Sequence, residues 1–182
     1  MEIVKTGFTG LFIIRPSVYA DSRGYFFESF NIERYREAGI NFIPVQDNES
    51  RSLRGVIRGL HYQLKPYDQA KLIRVVTGKI FDVSVDLRRD SGTYGKWFGV
   101  ELDSESKIQL FIPRGFAHGF SVLEDNTVIQ YKVDNVYNRL SERGIALNDP
   151  ELDIDWKLGD TTPVISDKDR VNPVFSEAEN NF

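Results

Sequence analysis

The sequence contains no cysteine, only two histidines and a single methionine. The absence of cysteine excludes disulfides, thiolate metal sites and cysteine nucleophiles, and it fits a reducing cytoplasm. No apolar run approaches the roughly 18 residues that span a bilayer, and the residues after Met1 lead into no signal-peptide apolar segment. We therefore expect a soluble, cytoplasmic protein that makes no membrane contact.

An excess of positive charge is also missing. The 23 Lys and Arg residues are outnumbered by 27 Asp and Glu, which gives a net charge of −4. A broad nucleic-acid surface needs excess basic residues to neutralise phosphates, so no nucleic-acid partner is expected, although a local anion site stays open. The 182 residues contain no Ser/Gly/Pro-rich linker, which predicts one domain over residues 1–182.

Helical periodicity is scarce, whereas short apolar segments divided by polar turns are frequent. We predict strands at 11–16, 24–30, Val45–Leu53, Gly55–Gln63, Gln69–Val76, Lys79–Leu87, Lys96–Leu102, Lys107–Ile112, Phe116–Leu123 and Thr127–Val133. Asn31 is suited to cap a helix that runs through Ala38, and Ser166 to begin a short second helix. From Asp134 onward the pattern is less regular and is expected to wrap the sheet. The succession of strands predicts an all-β sandwich or barrel with a few short peripheral helices.

Two polar side chains fall on apolar strand faces. Alternation in the strand 127–133 puts Tyr131 on the same face as Ile129, so its ring should point inward. Lys71 likewise shares a face with Ile73, which is a costly position for an ammonium unless the interior holds a polar-lined pocket. Together they predict a cavity inside the sheet structure.

The scarce histidines each need a reason, because imidazole is the side chain best suited to proton exchange near neutral pH. His61 is either a general base or a core histidine bonded to a backbone carbonyl, and the inward Lys71 favours a site. Arg58 lies three residues before His61, so strict alternation puts the two on opposite faces. A shared ligand requires Gly59 to bulge or twist the strand.

Further candidates also have a structural and a functional interpretation. Asp169 is either the N3 partner in a Ser166 capping box or the acceptor that fixes the tautomer of His61. Arg23 and Arg58 both adjoin glycines, so they are either surface arginines or guanidinium groups that grip a phosphate where the backbone can approach it.

The segment Pro113-x-Gly-x-x-His118-Gly119 resembles the second motif of cupins, whose metal sites typically take three histidines and a glutamate. This chain has only two histidines, and His61 is followed by Tyr62-Gln63 where a second histidine would be needed. A cupin-like jelly roll without metal is therefore the prediction. A site for iron or zinc built from two histidines and a carboxylate is left open.

Several separated motifs occur in the order found in dTDP-4-dehydrorhamnose 3,5-epimerases, and the chain resembles that family from about Arg23 to Asp169. An ordered set is far more specific than any one motif. The motifs are Arg23-Gly24-Tyr25-Phe26-Phe27-Glu28-Ser29, Val45-Gln46-Asp47-Asn48, Arg58-Gly59-Leu60-His61-Tyr62-Gln63, Gln69-Ala70-Lys71-Leu72, Phe81-Asp82-Val83, Ile112-Pro113-x-Gly-Phe-Ala-His118-Gly119-Phe120, Tyr131-Lys132 and Ser166-x-Lys168-Asp169.

The resemblance implies a homodimeric, cupin-like enzyme that needs no metal or other cofactor. It would invert C3 and C5 of a dTDP-4-keto-6-deoxy-glucose and give dTDP-4-keto-L-rhamnose for cell-surface polysaccharide synthesis. By the matching positions, His61 would take a proton, Tyr131 would return one to the opposite face, and Lys71 would stabilise the enolate. Asp169 would orient His61, and Asp82 would belong to the same pocket.

The resemblance also implies how the nucleotide is held. Arg23 and Arg58 would bind the diphosphate. The residues around the nucleotide would be Phe26, Glu28, Gln46 and Asn48, and further ligand contacts would come from His118, Glu142 and Lys168.

Two positions depart from the family pattern. Val136 stands where a ring that stacks on the thymine is expected, and Leu147 stands where tryptophan is usual. Both changes are expected to affect the nucleotide-side wall. They raise the alternative of a 3- or 5-monoepimerase, or of another nucleotide such as CDP.

Three other functions are weighed against the epimerase. A noncatalytic nucleotide-sugar binding module explains the arginines and aromatics but not the inward Lys71, Tyr131 and His61, which a binder would bury at a cost. A ketoisomerase of the same fold uses its histidines differently, and the Lys71 and Tyr131 matches argue against it. A metal-dependent dioxygenase is the third.

Overall fold

The computed structural model describes residues 1–182 as two facing antiparallel sheets and one hairpin. The first sheet has the order β1-β2-β10-β7-β12-β5, formed by β1 (Glu2–Lys5), β2 (Phe12–Arg15), β10 (Gln109–Ile112), β7 (Lys71–Thr77), β12 (Thr127–Val133) and β5 (Gln46–Ser52). The second has the order β13-β6-β11-β8-β9, formed by β13 (Glu142–Gly144), β6 (Ile57–Gln63), β11 (Phe116–Val122), β8 (Lys79–Asp86) and β9 (Trp97–Asp103). The separate hairpin is β3 (Val18–Asp21) with β4 (Gly24–Phe27). This is the all-β, jelly-roll architecture that the sequence predicts.

The main core lies between the two sheets. Ile73 and Leu110 of the first sheet pack in one buried cluster with Ile80, Leu102 and Val122 of the second. Each fully buried aliphatic side chain contributes roughly 1.5–3 kcal/mol relative to exposure, so this layer holds the sheets face to face.

The irregular chain after β12 covers the outer face of the second sheet. Leu152, Trp156 and Phe175 pack against Leu60 and Val83 in a second buried cluster. The indole N–H of Trp156 donates to a backbone carbonyl at 2.8 Å, which satisfies its polar edge inside the core. The prediction that this segment wraps the sheet is confirmed.

The helices are short and begin where the sequence indicates. α1 (Ile32–Glu37) has Asn31 as its N-cap, and the Asn31 side chain accepts from the first-turn amides at 3.1 and 3.3 Å. Ala38 is its C-cap, as the sequence predicts, and Gly39 follows with φ +80°. α2 (Asp167–Arg170) starts after the N-cap Ser166, and a 3₁₀ turn spans Phe175–Glu177.

Each predicted strand overlaps an observed one, although the segment 24–30 ends earlier, at Phe27. The sequence did not indicate β1, β3 and β13. All four residues of β3 are exposed, so no apolar alternation marks it, and β13 has only three residues. None of the helices is both long and apolar enough to cross a bilayer.

Candidate active site

A cavity of about 750 Å³ is lined by side chains of both sheets together with the segment around α2. Strands β5, β7 and β12 contribute from the first sheet, and β6, β11 and β13 from the second. The sequence-predicted residues that line it are His61, Tyr131, Lys71, Asp169, Gln46, Asn48, Arg58, His118, Glu142 and Lys168.

His61 and Asp169 form a hydrogen-bonded pair at this cavity, with 2.6 Å between the His61 Nε2 and the Asp169 Oδ1. Burial raises the pKa of Asp169. The hydrogen bond and the charge of His61 outweigh this effect and hold the pKa below its usual value, so the carboxylate is ionised. An Nε2–H that donates to this carboxylate leaves Nδ1 as the basic nitrogen. His61 is therefore oriented as a general base is oriented by a carboxylate.

Both interpretations of Asp169 are partly realised. Its backbone N–H donates to the Ser166 Oγ at 3.1 Å, which is half of a capping box. Its carboxylate bonds to His61. The cap thus fixes the backbone from which this buried carboxylate reaches the cavity.

Gly59 brings Arg58 and His61 to one cavity. The pairing of β6 with β11 shifts register between His118 and Phe120, and Gly59 has φ +135°. A Cβ on Gly59 would lie 2.4 Å from the Gly119 Cα, so only glycine allows this approach. The predicted irregularity at Gly59 is confirmed.

A second imidazole–carboxylate pair lies beside the first. His118 is opposite His61 in the β6–β11 pairing, and its Nε2 is 2.8 Å from the Asp82 Oδ2. Burial lowers the pKa of His118, although Asp82 opposes this effect. Asp82 is fully buried and does not itself line the cavity; it reaches the cavity through His118.

Lys71 and Tyr131 add an ammonium and a phenol to the cavity wall. Burial lowers the pKa of Lys71 to about 8, against the opposing charges of Asp82 and Glu142. Burial raises the pKa of Tyr131, so its hydroxyl stays protonated at neutral pH. The prediction that both side chains point into a cavity is confirmed.

Tyr137 is the exposed aromatic residue among those that line the cavity. Its hydroxyl donates to the Glu142 Oε2 at 2.7 Å, and the Lys168 Nζ lies 2.5 Å from the same oxygen. Val136 is exposed and does not line the cavity. The expectation that Val136 alters the wall of this cavity is therefore wrong, because the neighbouring Tyr137 lines it and Val136 does not.

Leu147 does not belong to the nucleotide-side wall. It is buried with Leu152 and Trp156 under the wrapping segment, and its backbone oxygen accepts from the Trp156 indole. The expectation that this substitution reshapes the cavity is wrong.

Three predicted residues lie away from the cavity within this chain: Arg23, Phe26 and Glu28. Arg23 forms an ion pair with Asp21 at the turn of the β3–β4 hairpin, and the Phe26 ring is 69% exposed. Glu28 pairs with Arg34 at 3.2 Å. One chain alone does not bring these residues to the site.

Sequence reasoning missed several residues that line the cavity, among them Tyr137, Gln69 and Gln63. Gln63 and Gln69 belong to recognised motifs, but nothing in their residue type indicated a role.

No group of three or more His, Asp or Glu residues is arranged to hold a metal ion. The residues present therefore do not fit the iron or zinc site that the sequence left open.

The chain matches the family model described as dTDP-4-dehydrorhamnose 3,5-epimerase over residues 5–177. It is 48% identical over 180 residues to the dTDP-4-dehydrorhamnose 3,5-epimerase of Shigella flexneri, covering 98% of each chain. The chain belongs to the dTDP-4-dehydrorhamnose 3,5-epimerase family.

Solved structures of such epimerases share this fold closely. The crystal structure of the dTDP-4-dehydrorhamnose 3,5-epimerase from Elizabethkingia anophelis superposes with a TM-score of 0.94 at 46% identity, over 100% of this chain and 99% of that chain. The dTDP-6-deoxy-D-glucose-3,5-epimerase of Legionella pneumophila, in complex with dTDP-4-keto-L-rhamnose, gives 0.92 at 46% identity, over 97% and 93%.

Proposed function

We propose that this member of the family inverts C3 and C5 of a dTDP-4-keto-6-deoxy-glucose and releases dTDP-4-keto-L-rhamnose. The observation that carries the proposal is the bond between His61 and Asp169 on the same cavity as Lys71 and Tyr131. The Legionella relative, crystallised with dTDP-4-keto-L-rhamnose, supports the choice of ligand. We also propose that the enzyme works in the cytoplasm.

The reaction uses the acidity of carbon–hydrogen bonds beside the C4 ketone. His61 Nδ1 takes the proton, the carbon–hydrogen electron pair forms the enolate carbon–carbon double bond, and the carbonyl π electrons move to oxygen. The ionised Asp169 stabilises the imidazolium that results. General-base help of this kind contributes roughly 10²–10⁴-fold.

Lys71 and Tyr131 complete the inversion. The ammonium of Lys71, protonated below its pKa of about 8, stabilises the enolate oxygen. Tyr131 donates its proton to the carbon from the face opposite His61, and the enolate electrons re-form the C4 ketone. Solvent then reprotonates Tyr131 and takes the proton from the His61 imidazolium. Because burial raises the pKa of Tyr131, its hydroxyl is protonated at neutral pH and can act as the proton donor.

The nucleotide end of the substrate uses other polar and aromatic groups that line the cavity. Arg58 contacts the diphosphate, while Gln46, Asn48 and Lys168 contact the nucleotide. The Tyr137 ring provides a flat apolar wall for the base.

We propose a homodimer in which the exposed hairpin of one chain completes the site of the other. Tyr19 and Phe26 face each other across this hairpin and are 66% and 69% exposed. An exposed apolar patch of this kind is typical of a surface that contacts another protein chain. Arg23, Phe26 and Glu28 would then reach the partner's nucleotide.

Proton NMR of dTDP-4-keto-6-deoxy-glucose in D₂O, with metal-free protein, tests the activity. We expect deuterium at both C3 and C5, and His61→Asn should abolish exchange while still binding dTDP. Exchange at C3 alone would indicate a monoepimerase. No exchange with the dTDP or the CDP sugar, with sugar binding retained, would leave the noncatalytic binding module.

A further inference from the structure

The loop that carries Tyr137 is held by glutamine side chains. In each of the four consecutive residues 135–138, one backbone group bonds to one of them. Gln69 Nε2 donates to the Asn135 oxygen at 2.7 Å, and Gln46 Oε1 accepts from the Tyr137 N–H at 3.1 Å. The two remaining bonds, which flank Tyr137 on either side, both come from Gln63.

Gln63 is bonded to backbone through both ends of its amide. Its Nε2 donates to the Tyr67 oxygen at 2.6 Å and to the Val136 oxygen at 3.3 Å, and its Oε1 accepts from the Asn138 N–H at 2.6 Å. The residue is only 5% exposed. Both amide hydrogens are therefore occupied, and Gln63 has no donor left for a ligand although it lines the cavity.

The position of the Tyr137 ring depends on the backbone of this loop, because its side chain is held by a hydrogen bond only at the hydroxyl end. The side chain is 52% exposed, and its one side-chain hydrogen bond runs to Glu142. An exposed aromatic binds a flat partner well only when its position is fixed before binding, since ordering it during binding costs affinity.

We propose that Gln63 is a positioning residue that sets nucleotide affinity by holding the backbone on both sides of Tyr137. The proposal rests on the proposed function in that it takes a nucleotide sugar as the ligand. Gln63 acts through Tyr137 and leaves the chemistry at His61 unchanged. Glutamate cannot replace it, because a carboxylate would face two carbonyl oxygens without a proton to donate.

Steady-state kinetics and calorimetry with dTDP alone test this role. In Gln63→Leu and Gln63→Glu we expect KM and the dTDP dissociation constant to rise about tenfold, the scale of losing one base–aromatic stack, with kcat within about twofold. Gln130→Leu is the matched control, because Gln130 bonds Arg74 and Glu49 within the first sheet and makes no hydrogen bond to the loop. It should leave both constants unchanged.

A double-mutant cycle separates positioning from other roles. In the Tyr137→Ala background, Gln63→Leu should raise KM by no more than about twofold further. A full additional rise, or a fall in kcat at unchanged KM, would overturn the proposal. If Gln63→Leu does not fold, Gln69→Leu removes only the bond to Asn135 and should raise KM about threefold.

Measurements on the wild-type protein distinguish failure of the proposed function from failure of the role of Gln63. A wild-type protein that neither exchanges deuterium nor binds dTDP contradicts the proposed function itself. An active wild type whose Gln63→Leu variant binds dTDP normally contradicts only the role of Gln63.

Discussion

His61 and Asp169 are separated by 108 positions in the sequence, and their side chains meet at 2.6 Å. The bond joins the strand β6, which is paired on both sides, to the first turn of the four-residue helix α2. A carboxylate in that position selects the tautomer of the imidazole and stabilises its charged form, so a distant helix determines what His61 can do.

Replacing Asp169 with asparagine should therefore slow the reaction more than it weakens binding. We expect kcat to fall roughly 10²–10⁴-fold, because the imidazolium loses its counter-charge and the tautomer is no longer selected, while KM changes little. Asp167→Asn on the same helix is the matched control, since Asp167 is exposed. A variant Asp169→Asn with kcat near wild type would contradict the assigned role.

The pH profile should carry the signature of Lys71. Its pKa of about 8 means that the ammonium is present below pH 8 and lost above it, so kcat/KM should fall as pH rises through about 8. Lys71→Arg keeps the charge throughout this range, and its residual activity should lose that limb. Persistence of the same limb in Lys71→Arg would assign it to another group.

Mixing two defective variants should reveal whether the hairpin serves the partner chain. Arg23→Ala lacks a diphosphate contact and His61→Asn lacks the base. In a mixed dimer, the Arg23→Ala chain keeps its His61 and receives the intact Arg23 from the hairpin of the His61→Asn chain. Activity at low substrate concentration should therefore return after subunit exchange. Sedimentation should give twice the 20.9 kDa chain mass. Absence of any recovery, or a species of 20.9 kDa only, would contradict the shared site.

Stability should depend on a carboxylate far from the reaction. Asp86 is fully buried and accepts from Arg88, Ser91 and Thr93 at 2.7–3.0 Å. Asp86→Ala should lower the free energy of unfolding by about 2–4 kcal/mol, because the guanidinium and hydroxyls lose their acceptor. Denaturant unfolding measures this, with Glu101→Ala in an exposed pair as the control.

The same carboxylate makes stability depend on acid. Burial raises the pKa of Asp86, but its bonds to Arg88, Ser91 and Thr93 lower it below the usual 3.8. Its contribution is therefore complete above the unfolded value and is lost as pH falls through the lower folded value. In Asp86→Ala the acid-induced loss of stability should be smaller; an unchanged acid dependence would assign it elsewhere.

Much of the site was predictable because local patterns reported it. Alternation placed Tyr131 inward, Lys71 stood out as a charge on an apolar face, and Gly59 was needed to reconcile Arg58 with His61. The β3–β4 hairpin was not fully predictable, because its residues are exposed and carry no burial pattern. The prediction for the loop after β12 was wrong because local sequence does not show whether Val136 or Tyr137 faces the cavity. That orientation depends on hydrogen bonds to Gln46 and Gln63, which lie on distant strands.

The sequence by itself determined most of the strands, the cap at Asn31, the inward Lys71 and Tyr131, and the ordered motifs of an epimerase, because these depend on residue type and on spacing along a few residues. Only the tertiary structure decided that Asp169 meets His61, that Leu147 lies in the core and that the Tyr137 ring lines the cavity. Those outcomes depend on which segments pack together, and long-range packing is a property of the whole chain.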